Sequence, residues 1–140
     1  MTIKFLFNEI KAPLSERMRL KQYLKTITNR YKKPINSLSY IFCSDKFLSE
    51  INRKFLKKNY YTDIITFNLS ESDSWIDGEV YISIDRVREN AVNHGVSVNN
   101  ELHRVIFHGL LHLCGLDDKS AKEEKLMRDE ENKCLKEYFL

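Results

Sequence analysis

Apolar and polar residues alternate along short stretches of the chain, and alternation or β-branched composition is typical of strands. Strands are predicted on this basis at residues 2–7, 38–42, 62–67 and 78–84. The polar stretch 70–77 between the last two predicts a loop. The pattern therefore predicts a sheet of about four strands.

Apolar residues recur at helical spacing in the remaining segments, which predicts helices at residues 15–31, 45–56, 85–94, 98–114 and about 121–137. The first helix has a predicted core face of Met18, Leu20, Leu24, Ile27 and Tyr31. The second has one of Phe47, Leu48, Ile51 and Phe55. The order β-α-β-α-β-β-α-α-α predicts one α/β (α+β) domain over residues 1–140, with a mostly antiparallel or mixed sheet packed by about five helices.

The composition is that of a folded protein and excludes disordered and fibrous classes. Of 140 residues, 42% are hydrophobic and 31% charged, with two prolines and four glycines. No apolar run approaches the roughly 20 residues of a membrane span, and the amino terminus lacks signal-peptide features. Three cysteines, odd in number and far apart, are most simply reduced thiols. We expect a cytoplasmic protein with no membrane partner.

Two histidines four residues apart lie in an apolar, helical run. His108 and His112 therefore share one helix face, about 6 Å apart along the axis. Gly115 supplies a positive φ that ends a helix, after which the chain can return Asp118 to the pair. Two imidazoles and a carboxylate form a zinc-type set that leaves a position for water or substrate. The segment predicts a catalytic site for one divalent ion, at the end of a central helix.

The neighbouring candidates are given other roles. Asp117 could orient an imidazole N–H without binding the ion. Cys114 is predicted to be a packed thiol, His103 a surface residue and His94 part of a turn, so all three are excluded as ligands. Because a carboxylate ligand lowers the charge of the centre, Mn²⁺ and Fe²⁺ become more acceptable beside zinc.

Gly109 bears on the kind of reaction. Metallopeptidases carry a glutamate, their general base, directly after the first histidine, and this chain has Gly109 there. A metallopeptidase is therefore disfavoured. A glycine within the helix either makes room for an extended substrate or permits close packing of helix on sheet, and both interpretations stay open.

Charge is divided unevenly between the two halves of the chain. Residues 1–70 hold 14 Lys and Arg against 5 Asp and Glu, whereas residues 71–140 hold 9 against 15. A basic half beside an acidic half that holds the metal would suit a polyanion lying across the ion. The alternative is that these charges only solvate helix faces.

The stretch HGLLHLCGLDD, residues 108–118, resembles the H-G-x-L-H-L-x-G-x-D-H signature of the YbeY endoribonucleases, bacterial metalloproteins of rRNA maturation. INRKF at 51–55 and TDIITF at 62–67 are similar to the family's L-N-x-x-[YF]-R and T-D-V-L-S-F. GEVYIS at 78–83 resembles G-D-I-x-I-S, and Met127 with Glu130 resembles a closing M…E helix. The matches follow in order over about residues 45–131.

The resemblance implies a zinc-type ion held by three residues, and cleavage of single-stranded RNA near the 3′ end of the small-subunit rRNA. His108 and His112 would be ligands, and Asp118 stands where the family has a third histidine. No protein general base is assigned. Expected partners are rRNA and ribosomal particles, with ribosomal-protein or GTPase partners left open.

Three further residues are candidate RNA contacts. The family's arginine after the aromatic residue falls at Leu56, which cannot bind phosphate. Lys57 and Lys58 could replace it as point charges, or could simply solvate a loop. Asn52 matches the family and could bond RNA or its own helix end. The rival function is a non-catalytic ribosome-assembly factor with a structural metal, which Leu56 favours somewhat.

Overall fold

The computed structural model of the protein describes residues 1–57 and 62–140. In chain order its elements are β1 (Thr2–Phe7), α1 (Arg17–Arg30), β2 (Ile35–Cys43), α2 (Asp45–Leu56), β3 (Ile64–Asn68), β4 (Ile76–Ser83), α3 (Ile84–His94), α4 (Val98–Leu113) and α5 (Ala121–Tyr138). The predicted order of strands and helices is confirmed, with boundaries shifted by a few residues.

The four strands form one mixed sheet in the order β1-β2-β4-β3. β1 pairs with β2, and β2 with β4, in parallel, whereas β3 and β4 are antiparallel. The prediction of a mixed sheet is confirmed, and the alternative of a mostly antiparallel one is wrong. The parallel pairs arise because helices separate β1 from β2 and β2 from the β3–β4 hairpin. β3 is left at the sheet edge.

α4 is the central helix of the core. It packs against β3, β4, α1, α3 and α5, and it buries side chains around much of its circumference, including Leu102, Ile106, Phe107, Leu110 and Leu111. The Ser97 hydroxyl accepts a hydrogen bond from the Asn100 backbone N–H and caps the start of α4. α2 packs against β3 and β4 through a separate apolar cluster. Alternation along β3 places that cluster on the opposite face of the sheet from α4.

Two glycines let α4 approach the sheet closely. A Cβ at Gly109 would lie 2.8 Å from Val80 Cγ1 and 3.1 Å from Ile64 Cδ1. A Cβ at Gly78 would lie 2.7 Å from Leu113 Cδ1. Gly109 thus faces the sheet, and the packing interpretation of this residue is confirmed. The contact fixes the height of α4, and with it the two histidines, above β3 and β4.

The substitution Gly109→Ala is expected to destabilise the protein. Alanine gains about 1 kcal/mol of helix propensity over glycine, but overpacking a core typically costs about 1–3 kcal/mol. The branched Val80 has little freedom to move away, so we expect a net loss of about 1 kcal/mol in urea unfolding. Val92→Ala on α3, where the side chain is 80% exposed, is the control. A Gly109→Ala variant as stable as the wild type would contradict the packing argument.

Three side chains differ from their predicted environment. His103 was expected at the surface but is buried, with its ring 5.2 Å from that of Tyr138. α4 is covered on several sides, so a position outside the main apolar stripe is still enclosed. Met18 and Phe55 were expected in the core and are exposed. Met18 lies in the first turn of α1, and Phe55 lies near the end of α2, where its ring contacts that of Phe67 edge to face.

Among the described residues, no helix combines the length and the apolar character that crossing a bilayer requires.

Candidate metal centre

The structure brings together the three predicted metal ligands. His108 and His112 lie on successive turns of α4, and Asp118 lies on the segment that joins α4 to α5. The two Nε2 atoms are 3.0 Å apart. Asp118 Oδ2 is 3.5 Å from Nε2 of His108 and 3.4 Å from Nε2 of His112. One donor atom from each residue therefore points at a common centre, and this group could hold a metal ion.

The hydrogen bonds of the two rings determine which nitrogen faces the centre. His112 Nδ1 lies 2.8 Å from the carbonyl oxygen of Leu116, which can only accept. His108 Nδ1 lies 2.6 Å from a carboxylate oxygen of Glu131. Both Nδ1 atoms therefore donate, and in the neutral rings both Nε2 atoms carry lone pairs. Two lone pairs and a carboxylate oxygen at these distances repel one another unless a positive charge lies between them.

The spacing of the donor atoms fits a small tetrahedral ion. Ligand atoms about 2.0–2.1 Å from zinc in tetrahedral geometry are roughly 3.3 Å apart. The three separations, from 3.0 to 3.5 Å, bracket that value. The side chains thus need only small shifts to bind, and the three protein ligands leave a fourth position open.

The turn at the end of α4 builds the site. Gly115 has a φ of 108°, which favours glycine. The Gly115 N–H donates to the carbonyl of His112, and the Leu116 N–H donates to that of Leu111, both at 3.0 Å, which forms a Schellman motif. The same turn brings the Leu116 carbonyl within hydrogen-bonding distance of His112 Nδ1. It also returns the chain so that Asp118 faces the two histidines.

Glu131, on α5, orients the ring of His108. It is buried, and besides His108 it accepts a hydrogen bond from Arg104 Nη1 at 2.9 Å. Burial alone would raise the pKa of Glu131, but the contacts with His108 and Arg104 lower it overall. Burial likewise opposes a charge on His108, yet the Glu131 hydrogen bond raises the pKa of that ring above its usual value. A carboxylate in this position fixes ring orientation and increases the basicity of the ligand.

The orienting role therefore belongs to Glu131 and the Leu116 carbonyl, and the expectation for Asp117, which is exposed, is wrong. Glu131 was not among the predicted site residues. The resemblance placed the closing acidic position at Glu130, whose carboxylate instead contacts the Tyr31 hydroxyl at 3.1 Å. One signal was available: Glu131 follows Met127 by four residues and so lies on the buried stripe of α5.

Two hollows meet at the candidate metal centre. The larger, called the cleft, has a volume of about 570 Å³ and runs between the end of α2, the edge strand β3 and the end of α4. The smaller, called the pocket, has about 270 Å³ and lies between α3, α4 and α5. Asp63, Ile64, His108 and Asp118 line both. A ligand bound at the centre has space on either side.

Of the three predicted RNA contacts, the structure places one in the cleft. Asn52 lies in the wall of the cleft and is 2% exposed. Leu56 also lines the cleft. Lys57 is exposed and ends α2 with a left-handed φ of 54°, and it is not among the described residues that line either hollow. Lys58 lies outside the described residues.

Asp63 is a second carboxylate near the centre that was not among the predicted site residues. It is half-buried, lines both hollows and accepts a hydrogen bond from Asn90 Nδ2 at 3.4 Å. Burial raises the pKa of Asp63, and the positive charge of His108 only partly opposes this. In the sequence Asp63 appears only as one letter of a strand motif, because its closeness to α4 depends on how β3 packs.

Comparison with known proteins agrees with this architecture. The sequence model of the family described as endoribonuclease YbeY matches residues 6–139. The chain is 47% identical over 134 residues to the endoribonuclease YbeY of Cytophaga hutchinsonii, covering 96% of this chain and 94% of the relative. The corresponding protein of Bacteroides thetaiotaomicron is 40% identical over 135 residues, covering 96% and 98%.

A solved structure has the same fold. The solution structure of TM1509 from Thermotoga maritima superimposes with a TM-score of 0.70 and 28% sequence identity, over 99% of this chain and 89% of that one. The family match and the identities extend over nearly the whole length of the chain, well beyond the histidine motif. The chain therefore belongs to the YbeY family of endoribonucleases.

Proposed function

We propose that this protein is a metal-dependent endoribonuclease that cleaves single-stranded RNA during rRNA maturation, including processing at the 3′ end of the small-subunit rRNA. In this proposal His108, His112 and Asp118 hold one divalent ion, most simply zinc. The observation that carries the proposal is the pair of facing Nε2 atoms, 3.0 Å apart, with a carboxylate oxygen beside them. Membership of an endoribonuclease family supplies the reaction class.

The chain's own residues hold the site in a binding geometry. When bound, a divalent ion supplies Lewis-acid stabilisation of a phosphate and activates water near neutral pH. Glu131 and the Leu116 carbonyl lock the two imidazoles so that both Nε2 atoms face the ion. Little side-chain entropy then remains to be lost when the ion binds, because the hydrogen bonds to both Nδ1 atoms already restrict the rings.

The cleft suits a flexible single strand. It is open along the edge strand β3 and reaches the metal centre between α2 and α4. A single strand can turn its phosphates and splay its bases into a concave surface, which a duplex cannot do. Asn52 in the cleft wall, Lys57 directly after α2, and Lys58, which lies outside the described residues, stay our proposed RNA contacts. The exposed Lys119 joins them because it lines the cleft beside Asp118.

The proposed partners are rRNA and ribosomal particles, which would place the protein in the cytoplasm. The excess of Lys and Arg in the first half of the chain supports a polyanionic partner. The metallopeptidase alternative has less support. For a metallopeptidase, the position of the general base is occupied by Gly109, which packs against the sheet.

The proposal is tested with purified untagged protein and a labelled single-stranded RNA oligonucleotide. Metal content is first measured by elemental analysis. We expect about one divalent ion per chain, cleavage that EDTA abolishes, and recovery of cleavage on addition of Zn²⁺. A duplex of the same sequence and a panel of peptides serve as controls. Protein that binds the ion but leaves the RNA intact and cuts a peptide would overturn the proposal.

A further inference from the structure

We propose that the guanidinium of Arg128 binds a phosphate of the RNA next to the metal centre and so holds the strand on the pocket side of the ion. The inference rests on the proposed function and adds to it a substrate-binding residue. It concerns a different side of the site from Asn52, which lies on α2, and Lys57, which directly follows it.

The position of the metal centre creates the need for such a residue. The cleft and the pocket meet at His108 and Asp118, so a strand cleaved there extends into both hollows. Asp118, Asp63 and Glu131 surround the meeting point with carboxylates. With Glu101, four carboxylates line the pocket, against the two charges of a divalent ion and the one of Arg104, so a phosphate that approaches from the pocket side gains from a further cation.

Few cations are available there. Among the described residues that line the cleft, the one Lys or Arg is Lys119. The corresponding residues of the pocket are Arg104 and Arg128. Leu56, on the cleft side, brings no charge to the site. Among the described residues, the guanidinium groups that could meet the strand on the pocket side are therefore those of the two arginines. Lys125 lines the adjoining depression, but its Nζ already pairs with Asp129 Oδ2 at 2.9 Å.

The Arg104 guanidinium is already hydrogen-bonded within the protein. Its Nη1 donates to Glu131 at 2.9 Å and its Nη2 donates to the side-chain oxygen of Asn132 at 2.7 Å. Only 18% of its side chain is exposed. Moving this guanidinium to a ligand would leave the buried Glu131 with a broken ion pair, which is costly. Arg104 thus orients Glu131 and is not free to follow a substrate.

Arg128 is held much more loosely. Its Nη1 is 3.9 Å from Glu131 Oε1, beyond hydrogen-bonding distance, and 56% of its side chain is exposed. The Glu131 carboxylate already accepts hydrogen bonds from His108 and Arg104 at shorter distances, so its attraction for Arg128 is weak. The Arg128 guanidinium therefore has N–H groups available to donate to a ligand, and its planar shape matches two phosphate oxygens.

Arg128 also has the right neighbours. It lines the pocket together with His108 and Asp118, and the same residues line an adjoining depression between α5 and the metal centre. A phosphate held there would be one of those flanking the scissile bond, since the scissile phosphate itself belongs at the ion. The expected contribution is therefore to substrate binding and not to the reaction at the ion.

The experiment compares Arg128→Ala and Arg128→Lys with Lys133→Ala. Lys133 is an exposed cation on the same helix that lines neither hollow, so this control makes the same change of charge. For a single-stranded RNA oligonucleotide, we expect Arg128→Ala to raise KM about tenfold with kcat little changed, because one charge-assisted hydrogen bond is lost. Arg128→Lys should be intermediate. The salt dependence of binding should become shallower by about 0.7 in log–log slope.

Two further readouts separate this inference from the proposed function. Metal content should equal that of the wild type in all three variants. Binding is also measured by fluorescence anisotropy, with a gel afterwards to verify that the oligonucleotide is intact. Arg128→Ala that binds like the wild type, or that weakens binding no more than Lys133→Ala, would overturn the inference. If the wild type binds RNA without cleaving it, the proposed function fails, and the binding loss in Arg128→Ala still decides the inference.

Discussion

Replacing His112 by alanine is expected to remove both the bound metal and the cleavage of RNA. Losing a residue that only orients a ligand typically reduces metal affinity about 10–100-fold, and losing a ligand itself should cost more. Asp118 and His108 alone would leave two ligands, too few to retain an ion through purification. The metal-to-protein ratio, measured by elemental analysis, should fall below about one tenth of the wild-type value, with cleavage at background.

The matched control is His94→Ala. His94 is the exposed last residue of α3, and its Nδ1 lies 3.4 Å from a carboxylate of Glu101 rather than facing the ion. This variant should keep the metal, and both proteins should give the same far-ultraviolet circular dichroism. If His112→Ala retains a stoichiometric ion, or cleaves RNA as fast as the wild type, the proposed coordination is incorrect.

Glu131→Gln is expected to weaken metal binding and to destabilise the fold. The change keeps the size of the side chain but removes the charge that Arg104 and His108 share. Removing one partner from a buried ion pair typically costs about 3–5 kcal/mol, and we expect about 3 because glutamine can still accept a hydrogen bond. Metal affinity should fall about 10–100-fold. Urea unfolding of the apo form and competition with a chelating dye measure the two effects.

Glu130→Gln provides the control for this variant, since it makes the same change one residue away. Glu130 contacts the Tyr31 hydroxyl and not a ligand. It should leave metal affinity unchanged and stability within about 0.5–1 kcal/mol of the wild type. Equal effects from both variants would show that the result reflects the charge of α5 and not the contact with His108.

The ligands could be predicted from sequence because they are close together in the chain. His108, His112 and Asp118 are related by one helix and one turn, and the rules for both are local. Glu131 and Asp63 reach the site only because α5 and β3 pack against α4. A spacing rule cannot supply that, although a glutamate on the buried stripe of α5 was a usable clue.

The environment of α4 shows that helical periodicity alone does not predict which residues are buried. Helical periodicity predicts one buried face for α4 and a surface position for His103. α4 is instead covered by the sheet and by other helices, so residues off the main stripe are enclosed as well. The sequence likewise does not determine the pairing of the strands, because alternation identifies a strand without identifying its neighbours.

The closeness of the three ligands in the chain also determines what the ion can contribute to folding. A metal stabilises a fold when only the folded chain brings its ligands together, and this coupling is strongest when the ligands come from distant parts of the sequence. Residues 108–118 form a short loop whose ends a single helical turn and a Schellman motif already bring together. An ion here therefore joins no distant parts of the chain. We expect the apolar core to stay folded when the ion is removed, so the ion would serve the reaction and not the stability of the fold.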